Sequence, residues 1–149
     1  MNAKDLATLV RLKSLIKDAR NVVLNRELGL LVFTTDDKEW GESLVFEIDL
    51  QPPWGYRVAV SLRDEIVVEG DAEVAKMIDY VSKKNAGLAR LSRLNFDINV
   101  GTISSVCHII YDEPPTDAAL RQSLTEPAKL LSSALKDIRA IARDDSPSR

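Results

Sequence analysis

Cys107 and His108 have the strongest claim to chemistry in this sequence, since each is the only residue of its type. A thiol beside an imidazole can become a nucleophile. These two are adjacent, however, and the run Ile103 to Tyr111 reads as a strand, which sends neighbouring side chains to opposite faces. Cys107 therefore reads as a small core residue beside a strand histidine. One histidine and one cysteine also cannot furnish a zinc ligand set. Six carboxylates, Asp36, Asp37, Glu39, Glu42, Glu47 and Asp49, crowd the first predicted hairpin. Acid–base catalysis would need one of them held in an apolar pocket, whereas a hairpin tip is wet. The spacing and glycine of a calcium loop are absent, as are a phosphate-cradling glycine loop with lysine and a GxSxG elbow. These residues predict a protein that is not an enzyme, with no cofactor, no metal and no small-molecule substrate.

Trp40 and Trp54 flank turns, where tryptophan either closes the end of a core or faces a partner. The 149 residues fit one domain, predicted over 1–143, with 144–149 (DDSPSR) as a disordered tail. An apolar fraction of 45% with 29% charged residues excludes wholesale disorder. No apolar run reaches the ~20 residues that span a bilayer, and the charged start is no secretory signal. A single cysteine suits a reducing cytoplasm. The net charge of −3 argues against nucleic acid, which calls for a basic footprint. Locally, residues 1–26 carry six basic and two acidic side chains, and Lys13, Lys17 and Arg20 share one helical face. That face reads as solvated, attracted to the acidic segment that follows.

Apolar residues at Leu6, Leu9, Leu12, Ile16, Ala19 and Val23 predict an amphipathic helix over 3–25. Leu28–Thr35 and Glu42–Leu50 read as strands, the second alternating through Leu44, Phe46, Ile48 and Leu50. Gln51-Pro52-Pro53-Trp54-Gly55 makes a turn. Tyr56–Val68 reads as one long strand, because Asp64-Glu65 is a poor hairpin turn. Asp71 is the expected N-cap of a helix with Val74, Ile78 and Val81 buried, ending at Asn85-Ala86-Gly87. Asn95–Val100, with Phe96, Ile98 and Val100 inward, and Ile103–Tyr111 complete five strands. Thr116 caps a final helix over 117–142, which Pro127 is expected to kink or split. The order is α-β-β-β-α-β-β-α: an α+β fold with a five-stranded antiparallel sheet and the helices on one face.

Asn85-Ala86-Gly87, Phe96-Asp97-Ile98, the strand with Ile103, Ile109, Ile110 and Tyr111, and Thr116-x-x-x-Leu120-x-x-x-Leu124 together resemble the YbjN family. That family is related in fold to class I type III secretion chaperones of the CesT kind. The resemblance implies an acidic cytoplasmic protein that forms a homodimer and binds an extended segment of a partner polypeptide. A regulatory or assembly adaptor for a folded partner is the alternative.

The first hairpin suggests where binding occurs. If Leu30 and Val32 join Leu44, Phe46 and Ile48 inside, then Leu31, Phe33 and Val45 lie on the other side. With Trp40 and Trp54 they form the expected partner-binding or dimer surface, of a size that marks interaction sites.

Overall fold

In the computed structural model, residues 3–36, 40–51, 55–87, 91–110 and 115–143 are described. The elements run α1 (Ala3–Ser14), β1 (Arg20–Asn25), β2 (Leu30–Thr34), β3 (Leu44–Gln51) and β4 (Gly55–Leu62). They continue with α2 (Asp71–Ala86), β5 (Ser92–Asp97), β6 (Thr102–Ile110) and α3 (Asp117–Ala142). The sheet has six antiparallel strands in the order β1-β2-β3-β4-β6-β5, one more than the sequence suggested.

The additional strand comes out of the predicted first helix. Helix α1 ends at Ser14, whose hydroxyl donates to the Arg11 carbonyl at 2.7 Å. Beyond it, the β-branched Val22 and Val23 favour a strand. The Asn25 side chain then accepts from the Glu27 and Leu28 amides, and Gly29, at φ +63°, completes the reversal into β2. Lys17 and Arg20 consequently share no helical face with Lys13; Arg20 opens β1 and reaches Asp36 at 3.6 Å.

The long predicted third strand stops at Leu62. The chain beyond is irregular, yet Ile66 and Val68 are buried. The Val68 amide donates to the Gly101 carbonyl at 2.7 Å, tying this segment to the β5–β6 turn. Gly101 holds φ +81°, and a Cβ there would lie 2.5 Å from the Val68 carbonyl oxygen, so the turn requires glycine. Ile98 and Val100 belong to this turn and are exposed, because β5 ends at Asp97. In α2 the N-cap is Gly70 rather than Asp71, and the buried residue is Met77, with Ile78 exposed. Thr116 caps α3 as expected, its hydroxyl accepting from the Ala119 amide at 3.2 Å. Pro127 neither splits nor ends that helix, which is continuous to Ala142. The apolar stripe from Leu120 to Ile138, packed on β4, β5 and β6, offsets the roughly 3 kcal/mol an internal proline costs.

The core lies between one sheet face and the helices. Two rows of paired residues show it: Leu31, Ile48, Val58, Cys107 and Ser92, then Phe33, Phe46, Val60, Ser105 and Leu94. All ten are buried. Leu9 and Leu12 of α1, Met77 of α2 and the α3 stripe join the same cluster. On the other face, none of the outward strand residues with described side chains is buried. Trp54 and the tail 144–149 lie outside the described residues.

Candidate functional site

The phase of β2 is the reverse of the one expected. Leu31 and Phe33 are 0% and 1% exposed on the helix side, whereas Leu30 and Val32 point away from it. The first hairpin is apolar on both sides of β2, so alternation alone does not choose. The aromatic pair does: Phe33 stacks on Phe46, rings 4.8 Å apart and 9° from parallel. Val45, on the outward face, is thus separated by the sheet from Leu31 and Phe33, and the expected five-residue surface is not one surface.

Two of its members, Phe33 and Trp40, nevertheless line one cavity, each with its ring beside that of Phe46. Trp40 packs its ring 5.8 Å from Phe46 at 52°, and the Ser132 hydroxyl of α3 donates to its carbonyl at 3.0 Å. Glu42, two residues on, pairs with Arg139 of α3. These ties hold Trp40 and Glu42 down on α3, and a cavity of about 430 Å³ lies between Trp40 and the α1–β1 link. Phe33, Phe46, Trp40, Ile16 and Leu124 supply its apolar lining, and Lys17, Arg20, Arg121, Asp18 and Asp36 its charged surround. Thr35 also lines it, with a buried hydroxyl that has no hydrogen-bond partner among the described residues. Such a volume takes a large side chain or a small ligand. Position 121 lies 81 residues beyond Trp40, and no local sequence signal joins the two.

Elsewhere the chemically suggestive residues are engaged structurally. Cys107 is buried and His108 exposed on the opposite face. Burial pushes the Cys107 thiol above its usual range, and the nearby Glu126 carboxylate pushes the same way. Of the hairpin carboxylates, Asp36, Glu42 and Asp49 pair with Arg20, Arg139 and Arg57; Asp37 and Glu39 lie outside the described residues. No group of three or more His, Cys, Asp or Glu is placed to hold a metal ion among the described residues. Nor is any described helix long and apolar enough to cross a membrane.

The Asn85 that contributes to the family resemblance has a clear task. Its amide nitrogen donates to the Leu94 carbonyl and its oxygen accepts from the Leu94 amide, both at 2.9 Å. A side chain from the end of α2 thereby occupies part of the free edge of β5, which would otherwise invite another strand. The Glu126 carboxylate accepts from the Ser92 amide at 3.4 Å along the same strand.

No protein-family model matches this chain, and no curated protein matches it significantly. Among solved structures, a chain in the crystal structure of the ExsC–ExsE complex shares its fold. The TM-score is 0.53 at 13% identity, covering 95% of this chain and 97% of that one. At that identity the likeness establishes architecture alone: an α+β fold, here with six strands and three helices among the described residues.

Proposed function

We propose that this protein is a non-enzymatic, chaperone-like binding module that captures an extended segment of a partner polypeptide. The Trp40 cavity carries the reading: an aromatic-lined hollow whose surround bears both charge signs suits one apolar anchor side chain with polar neighbours. The shared fold with a chain from a protein–protein complex supports it. The engaged state of Cys107, Asp36, Glu42 and Asp49 supports the absence of catalysis. Within the chaperone-like fold, the Asn85 clamp and the pattern that follows it support membership of the YbjN family, with its cytoplasmic setting and homodimeric state.

The test is selection of peptides from a random display library. Binders should share an apolar or aromatic anchor. Ile16→Asp or Arg121→Glu, both at the cavity, should weaken them by about tenfold or more. Failure to select any binder, or binders indifferent to both substitutions, would refute the cavity as the capture site.

A further inference from the structure

The surround of the Trp40 cavity is positive on an acidic chain. Lys17, Arg20 and Arg121 stand there against the carboxylates of Asp18 and Asp36, although the whole chain carries −3. Arg20 and Asp36 are paired at 3.6 Å. Lys17, Asp18 and Arg121 are exposed and make no ion pair among the described residues, which leaves two open cations against one open carboxylate. Helix α3 explains the freedom of Arg121. Its only acidic neighbour at helical spacing is Asp117, four residues earlier, and Arg11 of α1 holds that carboxylate at 2.7 Å. The apolar lining is graded too. Phe33 and Phe46 are each 1% exposed and closed off, whereas Trp40 and Ile16 are half-buried and keep an open side.

We infer that the cavity selects its partner by an aromatic anchor with an acidic residue two positions before or after it. This rests on the capture reading and names the chemistry of the captured segment.

The spacing follows from the extended chain. Neighbouring side chains point to opposite sides, and those two apart share a side, about 6.6 Å along the segment. With the anchor seated, residues two positions away face the rim and the adjacent ones face away. A carboxylate at the rim meets Lys17 on the α1–β1 link or Arg121 on α3, whose guanidinium can donate to both its oxygens. A basic residue there meets like charge. An aromatic anchor is favoured because Trp40 offers a ring, and tilted or offset stacking adds to the area buried. Exposed ion pairs contribute modestly. Each should favour Asp or Glu over Ser by about two- to fivefold, and over Lys by about tenfold.

Display selection followed by fluorescence anisotropy tests it, with thermal melts as the control for folding. Peptides selected on the parent chain should be enriched in Phe, Tyr or Trp with Asp or Glu two positions away. Replacing that acid by Lys in a selected peptide should weaken binding about tenfold, and by less at high salt. The Lys17→Glu, Arg121→Glu double variant should prefer the Lys-bearing peptide, and Lys17→Gln, Arg121→Gln should level the two. Arg121→Lys should keep the parent's order, and Trp40→Leu should remove the preference for aromatic over aliphatic anchors. Ile16→Asp should weaken every binder whatever its flanking charge, because it puts a carboxylate in the apolar lining. Binders lost with Ile16→Asp but indifferent to flanking charge would overturn the inference and leave capture standing, as would a folded double variant that still prefers acid. Absence of binders, or binders untouched by both Ile16→Asp and Arg121→Glu, would overturn the capture reading and this inference with it.

Discussion

The two faces of the sheet are built from the same strands and teach opposite lessons. On the helix side, large residues stack row upon row, and Phe33, Phe46 and Tyr56 are each about 1% exposed. On the other side, Ala59, Ser61, Ser104 and Gly55 line the two central strands, with Val32, Val45 and Val106 around them. Hydrophobicity alone does not separate the faces, since valine occurs on both. Aromatic bulk does: Phe33, Phe46 and Tyr56 collect where helices can close around them, while the open face mixes small residues with Arg57, His108 and Ile110.

That contrast can be broken most sharply at β2. Phe33→Glu places an unpaired carboxylate against Phe46 and should prevent folding or cost more than about 4 kcal/mol. Val45→Glu, on the open face, should change stability by less than about 1 kcal/mol; urea denaturation measures both. Ile66→Asp should cost about 3–5 kcal/mol, because Ile66 is buried with Val58, Val60 and Leu62 although it follows the end of the strand.

Next in size is the clamp on the sheet edge. Asn85→Ala removes both hydrogen bonds to buried Leu94 and should cost about 1–3 kcal/mol in the same denaturation assay. The smallest effect is electrostatic. Tyr80 is pushed up from its ordinary value of 10.0 to about 12 by burial, and then by its hydrogen bond to Asp137 and that carboxylate's charge. Because the folded state favours the neutral phenol, this contribution is complete below pH 10 and is lost as pH rises towards about 12. Ultraviolet titration of the parent against Tyr80→Phe should assign a late tyrosine to position 80, and Asp137→Asn should bring that titration earlier.

Much of this architecture was legible in the sequence, and the failures have physical causes. The alternation Leu44, Phe46, Ile48 fixes the phase of β3 because polar Glu47 and Asp49 fall between. In β2, Leu30-Leu31-Val32-Phe33 offers no polar residue to mark the outer side, and only the pairing of Phe33 with Phe46 decides. Strand β1 was hidden because Ile16, Ala19 and Val23 continue the helical spacing of Leu9 and Leu12. The contrary signals were the β-branched Val22 and Val23 and the Asn25-to-Gly29 turn. Of the cavity, Phe33 and Trp40 were singled out from sequence, although for the wrong face in the case of Phe33. Arg121 and Leu124 come from the distant α3, and long-range packing of that kind leaves no local pattern.

The distinction between the faces rests on the phase of β2, and thiol labelling reads it directly. Single cysteines at positions 30 to 34, in a Cys107→Ala background, should react alternately. Positions 30, 32 and 34 should label rapidly in the native protein, and 31 and 33 only on unfolding. The opposite alternation, or equal labelling at all five, would contradict the account.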